Sequence, residues 1–251
     1  MNNLIKMNEK LLENPELAYV VAAITGDGHL QINKWRHLVS FYSKEIEEIE
    51  KMKKLFDYLF QVDGRLYPDN RKYLRYRLFF ISKPVALFLR EIRTPVGNKT
   101  NIVFTIPEWV KNGSDLTKGA YLQGIFDSEG SVFCRNTLKP RWQISIDMAK
   151  NEGIIDSGIN YMTEVRKLLT DFNINCSPVT KSFLNLRKDG SKSFQMKFSI
   201  ELLSFGNFYK YVGFRQTKKQ EKLLFALEYS ARRQEAKAIA CKSSRMSLHR
   251  Q

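Results

Sequence analysis

The sequence contains little cysteine and little histidine, and neither residue type is spaced to bind a metal or to form a disulfide framework. Three cysteines and three histidines are scattered through 251 residues. They lack the short Cys-x-x-Cys and His-x-x-x-His spacings that are typical of zinc sites. A disulfide-stabilised secreted fold is therefore not expected. The cysteines are instead expected to be free thiols in a reducing compartment.

Long apolar segments are also absent. No run of 18 apolar residues occurs, so we expect no membrane-spanning helix and no membrane partner. The first ten residues, MNNLIKMNEK, lack the apolar core and the small-residue cleavage site of a secretory signal. These features predict an intracellular protein, in the cytoplasm or nucleoid or in an organelle that holds a genome.

Positive charge is present in large excess. Lys and Arg number 41 against 26 Asp and Glu, which gives a formal net charge of +15. Such an excess favours a polyanionic partner, and DNA or RNA is the leading class. Hydrophobic residues make up 43% of the chain, which is sufficient for a packed core.

One segment of the sequence occurs twice. YVVAAITGDGHL at 19–30 aligns with YLQGIFDSEGSV at 121–132, so that Tyr19 matches Tyr121 and Asp27 matches Glu129. The similarity continues downstream, where FFISKPVALFL at 79–89 corresponds to FSIELLSFGNF at 198–208. The chain is therefore predicted to contain two similar units in tandem.

Each unit has the pattern of a helix, two strands, a helix, two strands and further helices. In the first unit we expect helices at 15–26, at 44–60 and from Pro84, with strands at 29–33, 37–43 and 71–82. In the second unit we expect strands at 131–136, 141–148, 179–187 and 193–200, with helices at 155–172, 202–211 and 216–235. The predicted boundaries are an extension at 1–14, units at 15–110 and 119–235, a linker at 111–118, and a basic tail at 236–251.

The predicted strands carry polar and basic side chains on one face. Because side chains alternate along a strand, Arg75 and Arg77 share a face, and so do Gln195 and Lys197. Arg and Gln can bind purine edges in the major groove, while Lys and Arg neutralise phosphates. The same bias in both units predicts a nucleic-acid-binding surface.

Small residues four positions apart occur in both copies of the repeated segment. Ala22 and Gly26 in the first copy correspond to Gly124 and Ser128 in the second. Residues i and i+4 share a helix face, and small side chains there allow two helices to approach closely. If the two helices pack together, Asp27 and Glu129 become neighbours at their ends. Neighbouring carboxylates repel, a divalent cation relieves the repulsion, and oxygen ligands favour Mg²⁺.

These residues resemble a known family. YLQGIFDSEG is similar to the LAGLIDADG motif, and YVVAAITGDG resembles a degenerate copy in which Thr25 replaces an acid. The chain resembles single-chain, two-motif LAGLIDADG homing endonucleases over residues 15–230. The resemblance implies an α+β fold with two αββαββα units about a pseudo-twofold axis and saddle-shaped antiparallel sheets. It also implies a monomer that makes a Mg²⁺-dependent double-strand break in a long asymmetric DNA site, with Ca²⁺ supporting binding without cleavage.

The resemblance assigns roles to individual residues. The metal is expected on the carboxylates of Asp27 and Glu129, with the carbonyls of Gly26 and Ser128 as further ligands. Besides the two acids, the expected catalytic residues are basic: Lys99, Lys44 and Lys150, with Lys218, or its neighbour Lys219, as the partner of Lys99. The residues expected to contact DNA are Gln31, Asn33, Arg36, Arg71, Arg75, Arg77, Arg135, Arg141, Gln143, Arg187, Gln195 and Lys197.

Two other functions fit the same sequence features. An RNA maturase that binds its own intron RNA would have the same fold and charge, and so would a DNA-binding regulator without catalytic activity. A nuclease embedded in a self-splicing protein is not expected, since the chain has no initial Cys or Ser and no terminal His-Asn. The basic tail is expected either to bind phosphate or to be disordered, and the target sequence cannot be derived.

Overall fold

The protein is described by a computed structural model that covers residues 10–69, 75–136, 140–187 and 190–248, with side chains up to Arg232. It contains two antiparallel four-stranded sheets, each followed by helices that cover one of its faces. The α+β fold with two similar units, predicted from the repeated segment, is confirmed. Of the residues expected to contact DNA, Arg71 lies outside the described residues.

The first unit contains four strands and three helices. Its elements are α1 (Pro15–Thr25), β1 (His29–Ile32), β2 (His37–Ser43), α2 (Ile46–Phe60), β3 (Arg65–Asp69), β4 (Arg75–Ile81) and α3 (Lys83–Glu91). The strand order in the sheet is β1-β2-β4-β3. A short helix, α4 (Glu108–Lys111), follows in the join between the units.

The second unit repeats this order with longer strands. Its elements are α5 (Asp115–Glu129), β5 (Gly130–Cys134), β6 (Trp142–Asn151), α6 (Ile155–Thr170), β7 (Thr180–Leu186), β8 (Lys192–Ile200), α7 (Phe205–Tyr211) and α8 (Thr217–Leu248). The strand order, β5-β6-β8-β7, is equivalent to that of the first unit. In the described residues no helix is long and apolar enough to cross a membrane.

The structure differs from the sequence-based expectation at three places. Helix α8 continues to Leu248, through most of the segment 236–251 that we expected to be a separate tail after a helix ending at 235. The edge strand β3 was not assigned from the sequence, because it is short and contains Pro68, which a strand tolerates only at a sheet edge or bulge. The helix α5 begins at Asp115, within the segment 111–118 that we expected to be a linker. Its start is capped by the Ser114 side chain, which accepts a hydrogen bond from the Thr117 amide at 3.3 Å.

Helices α1 and α5 form the main contact between the two units. A Cβ added to Gly124 would lie 2.5 Å from the carbonyl oxygen of Tyr19 and 2.9 Å from the Cβ of Ala22. A Cβ added to Gly26 would overlap the side chain of Ser128. The small residues therefore permit this close approach, as the sequence predicted. Nearly all of α1 and most of α5 are buried, so the ends of α1 and α5 are fixed side by side.

The remaining core lies between each sheet and its own helices. In the first unit the ring centroids of Phe56, from α2, and Phe80, from β4, stack 4.0 Å apart. In the second unit Phe126, from α5, meets Phe208, from α7, at 4.9 Å. These apolar contacts cover the inner face of each sheet, and the opposite, outer face carries the polar residues.

Candidate active site

Two carboxylates stand at the adjoining ends of the central helices. Glu129 is the last residue of α5, and Asp27 follows the end of α1 by two positions. Burial raises the pKa of Glu129 to about 8, and repulsion from Asp27 contributes to the increase. Burial also raises the pKa of Asp27, although its side chain remains accessible to solvent. The two predicted acids are therefore brought together, and solvent stabilises the negative charge of Glu129 less than that of Asp27.

The Lys99 ammonium lies between these acids and the end of α1. Its Nζ donates to the carbonyl oxygen of Ile24 at 2.9 Å and to the carbonyl oxygens of Gly26 and Gly28. Unpaired carbonyls at a helix C-terminus carry partial negative charge and attract a cation. Burial lowers the pKa of Lys99 to about 8, against the attraction of the two carboxylates, which raises it. Lys99 is thus held beside the two acids and the end of α1.

The second central lysine is Lys219 and not Lys218. Lys219 donates to the carbonyl oxygens of Phe126, at 3.3 Å, and of Asp127, at the end of α5, which repeats the arrangement of Lys99 on α1. Lys218 is 71% exposed at its side chain and forms an ion pair with Glu45 at 2.5 Å. Successive residues on a helix point about 100° apart, so only one of two neighbouring lysines can face a given site. The sequence alone could not fix the phase of α8 to that accuracy.

Lys150 is also placed differently from the sequence-based expectation. Its side chain is 1% exposed, and its Nζ donates to the carbonyl oxygens of Lys99 and Ile102, both at 2.7 Å. The ammonium also lies 3.7 Å from the centre of the Phe104 ring. These contacts favour a positioning role, in which Lys150 of the second unit holds the loop that carries Lys99. Contact with a phosphate would require Lys150 to leave this buried position.

Lys44, the counterpart of Lys150 in the first unit, has a different environment. It lines a cavity of about 450 Å³ that also reaches Asp27, Asp127 and Ser128. Lys44 therefore borders the same cavity as Asp27, one of the two paired acids. The two halves of the site differ here, because Lys150 is enclosed by protein whereas Lys44 borders a cavity.

A buried network beside the site was not recognised from the sequence. The Asp127 carboxylate accepts hydrogen bonds from Tyr19 Oη at 2.9 Å and from the amides of Arg215 and Gln216 at 3.1 and 3.2 Å. The Arg215 guanidinium in turn binds both carboxylate oxygens of Glu16, at 2.5 and 3.0 Å. Asp127 therefore fixes the chain that leads into α8 and carries Lys219. The alignment of Asp127 with Thr25 was the available signal, since the copies differ at this position.

The outer faces of the two sheets contain six of the twelve residues expected to contact DNA. Strand register places Gln31, Arg75, Arg77, Gln143, Gln195 and Lys197 on them. Several of these side chains also have partners within the protein. Arg75 binds Asp69 through Nε at 2.9 Å, and Gln195 donates to Asp147 at 2.7 Å. These faces are therefore partly ordered polar surfaces before any ligand binds.

The other residues expected to contact DNA lie in or beside hairpin turns. Asn33 and Arg36 belong to the turn between β1 and β2, and Arg135 and Arg141 flank the turn between β5 and β6. Arg187 closes the turn after β7, where its amide donates to the carbonyl of Ser191 at 2.8 Å. Asn33 has a structural role in its turn, since its Oδ1 accepts the amides of both Trp35 and Arg36.

The fit of the site to a divalent metal rests on the two carboxylates. In the part of the chain that the structure describes, no group of three or more His, Cys, Asp or Glu side chains could hold a metal. Two oxygen donors whose pKa values are raised fit a hard cation, which would stabilise their charged forms. The Gly26 carbonyl, the third expected ligand, accepts a hydrogen bond from Lys99 in this structure. The carboxylates therefore fit the metal better than that carbonyl does.

No family model matches the sequence. Among curated proteins, the chain is similar to the tRNA-splicing ligases RtcB of Pyrococcus abyssi, at 28% identity over 170 residues, and of Methanopyrus kandleri, at 30% over 173 residues. It is also 28% identical over 209 residues to the glutamine–fructose-6-phosphate aminotransferase of Methanocaldococcus jannaschii. The matches cover 63%, 63% and 83% of this chain, but only 18%, 17% and 17% of those proteins.

Two solved structures share most of the architecture. The homing endonuclease I-WcaI bound to its DNA recognition sequence matches with a TM-score of 0.51 and 16% identity, over 85% of this chain and 86% of that chain. The structure of I-DmoI in complex with DNA and Mn matches with a TM-score of 0.50 and 17% identity, over 79% of this chain and 96% of that chain. At these identities the similarity concerns the fold.

Proposed function

The chain has the fold of the LAGLIDADG homing endonucleases, and from this premise we propose that it is a site-specific DNA endonuclease that cuts both strands of a long asymmetric target. The observation that carries the proposal is the pairing of Asp27 and Glu129 at the ends of α1 and α5. A purely structural role would not explain two acids at adjoining helix C-termini, because the helix dipoles disfavour negative charge there.

The proposed substrate is double-stranded DNA, bound on the outer faces of the two sheets. Gln31, Arg77 and Lys197 lie on these faces, and the net charge of +15 supports binding to a polyanion. A seven-residue strand such as β2 or β4 spans roughly 23 Å, which corresponds to about seven base pairs. Two such sheets would contact a site of about 14 base pairs, which longer hairpins extend.

In the proposed mechanism each residue at the centre has a distinct task. Asp27 and Glu129 would hold a divalent metal ion, proposed to be Mg²⁺, which would supply an activated water and would stabilise the leaving oxygen of the phosphodiester. Lys99 and Lys219 hold ammonium groups beside the two acids, where they offset negative charge that develops on the phosphate. Asp127 and Lys150 keep those two lysines in place through the loops that carry them.

The matches to curated proteins support a mobile module. An RNA ligase and an aminotransferase have unrelated activities. In each of these two proteins, the segment similar to this chain makes up less than a fifth of the whole protein. A shared segment of that size in unrelated proteins is better explained by insertion of an independent unit than by a common reaction. We therefore propose that cleavage serves the homing of the gene or intron that encodes this chain, inside the compartment that holds the target DNA. One chain supplies both acids, so a monomer suffices.

The proposal is tested by removing the charge of each acid while keeping its shape. Asp27→Asn and Glu129→Gln are each expected to abolish double-strand cleavage in Mg²⁺ on a target recovered from a randomised duplex library. Affinity for the same duplex in Ca²⁺ should remain close to that of the wild type. Asp115→Asn, at the opposite end of α5, is the matched control and should cut normally. Full cleavage by either active-site variant would exclude the shared metal site.

A DNA-binding regulator without nuclease activity is the second candidate, and one observation favours it. The Lys99 ammonium binds the carbonyl of Gly26, an expected metal ligand, and attracts both acids. A regulator of this kind would bind duplex DNA tightly in both Mg²⁺ and Ca²⁺, and it would cut none of the duplexes in the library. An intron RNA maturase would instead bind its own intron transcript more tightly than any duplex in the same assay.

A further inference from the structure

Trp35 is the tryptophan at the tip of the β1–β2 hairpin, and 85% of its surface is exposed. The other two tryptophans, Trp109 and Trp142, are half-buried. Removing an indole of this size from water is strongly favourable, so an exposed tryptophan at a fixed position is a candidate contact for another molecule. The hairpin belongs to the sheet whose outer face is proposed to bind DNA.

The turn that presents Trp35 is ordered by its own hydrogen bonds. The Asn33 side chain accepts the amide of Trp35 at 3.0 Å and the amide of Arg36 at 2.7 Å, and the amide of Asn33 donates to the carbonyl of Arg36 at 2.9 Å. The backbone is therefore held in one conformation before binding, which lowers the entropic cost of using the tip as a contact.

The charges around Trp35 select a polyanion as the partner. Lys34 lies over the indole with its Nζ 4.8 Å from the ring centroid, and Arg36 follows directly. From His29 to Ser43 the sequence contains no acidic residue. An aromatic ring between two cations suits a nucleic acid, where the cations meet phosphates and the ring packs on a sugar or a base.

From these observations we infer that Trp35 forms an aromatic contact with duplex DNA at the outer end of the half-site bound by the first unit. The inference rests on the proposed DNA-binding function and adds a contact that is not electrostatic. Asn33 follows Asp27 by six residues, of which the four of β1 are extended, so the two residues lie at most roughly 20 Å apart, or about six base pairs. The contact is therefore expected within about six base pairs of the centre of the site, on one side only. The corresponding turn in the second unit is flanked by Arg135 and Arg141.

Tryptophan fluorescence and affinity on one duplex test the inference. The probe is a 40-base-pair duplex that the wild-type protein selects from a randomised library, in Ca²⁺. DNA should quench or blue-shift an emission component that is absent in Trp35→Phe, and it should protect that component from acrylamide. Trp35→Ala should bind roughly tenfold more weakly, with the slope of log affinity against log salt unchanged. Lys34→Met should instead lower that slope by about one.

Leu203→Ala is the matched control for loss of an exposed apolar side chain. Leu203 is also 85% exposed but lies in the turn that leads into α7, and its replacement should leave affinity unchanged. If the wild type binds the duplex while Trp35→Ala binds equally well and acrylamide still reaches Trp35, this inference alone is overturned. If the wild type binds no duplex at all, the proposed function fails and the inference fails with it.

Discussion

Lys218 and Lys219 are neighbours on α8, but their side chains meet different groups. Lys219 contacts the carbonyls at the end of α5, and burial lowers its pKa against the attraction of Asp127, Asp27 and Glu129. Lys218 reaches outward to Glu45 on the first unit. The difference follows from helix geometry. The same substitution at Lys218 and at Lys219 therefore compares two lysines on one helix that differ only in the groups they contact.

We predict that Lys219→Met slows cleavage strongly and that Lys218→Met does not. Lys219 is expected to offset charge in the transition state, so its loss should lower the single-turnover rate at saturating protein by about 10²-fold or more. Affinity in Ca²⁺ should change little in either variant. Because each unit supplies one central lysine, Lys219→Met should also accumulate nicked DNA before linear product. Equal rates for the two variants would contradict the placement of Lys219.

Lys150 shows why the role of a residue was harder to predict than its place in a secondary-structure element. Its position at the end of a strand was predicted from the sequence, and the resemblance implied a catalytic role. Its ammonium, however, is surrounded by the carbonyls of Lys99 and Ile102 and by the ring of Phe104. Burying a lysine is costly unless its donors are satisfied, and partners from the other unit satisfy them here. Contacts between units are not visible in the alternation of one strand.

At the scale of helices and strands, the repeated segment was the most informative signal. It predicted that α1 and α5 pack through small residues, and the structure confirms this at Gly26 and Gly124. Periodicity also located the central strands, which have one apolar face. It did not locate β3, which is short, lies at a sheet edge and contains a proline. Elements with few buried residues leave little periodic signal.

We predict that Gly124→Ala destabilises the protein, although alanine favours helices more than glycine does. The added Cβ would lie 2.5 Å from the backbone carbonyl of Tyr19, and a buried backbone cannot move far. Overpacking of this kind costs about 1–3 kcal/mol, which exceeds the gain in helix propensity of about 1 kcal/mol. Urea unfolding should therefore show a lower free energy of unfolding.

Gly206→Ala is the matched control on another helix. Gly206 lies in α7 and is exposed, and a Cβ added there meets no atom within 4 Å. The same substitution should leave the free energy of unfolding unchanged or raise it by up to about 1 kcal/mol. A Gly124→Ala variant as stable as Gly206→Ala would mean that the backbones of α1 and α5 are far enough apart to accept a methyl group at position 124.

At the scale of the whole molecule, the units are joined by charged contacts as well as by the central helices. Arg215, ahead of α8, binds Glu16 at the start of α1, and Lys150 of β6 binds the loop after α3. The amide of Asn151 extends this second junction with a 3.0 Å hydrogen bond to the carbonyl of Thr100. Each central lysine thus depends on a contact that only the assembled pair of units can form. Sequence comparison of the two copies could align the lysines but could not show these contacts.

The shared site also makes stability depend on pH in a defined direction when no metal is present. The pKa of Glu129 rises from an ordinary 4.5 to about 8 on folding, so between these values the folded protein binds more protons at Glu129 than the unfolded chain does. The free energy of unfolding should therefore fall as pH rises from 5.5 to 7.5 in EDTA. Lys99, whose folded pKa is about 8 against 10.5, contributes in the opposite direction only above that range.

Urea unfolding of the wild type and of Glu129→Gln at both pH values measures this effect. The variant lacks the titrating group, so its stability should fall less between pH 5.5 and 7.5, while contributions from Asp27 and Asp127 remain in both proteins. If the acids hold Mg²⁺ as proposed, the ion should stabilise the wild type more at pH 7.5 than at pH 5.5, because it binds their ionised forms, with a smaller effect on the variant. Parallel pH profiles for the two proteins in EDTA would show that Glu129 is ionised in the folded state throughout. In that case Lys99 and Lys219 would already compensate the carboxylates, and little of the repulsion between Asp27 and Glu129 would remain for a metal to relieve.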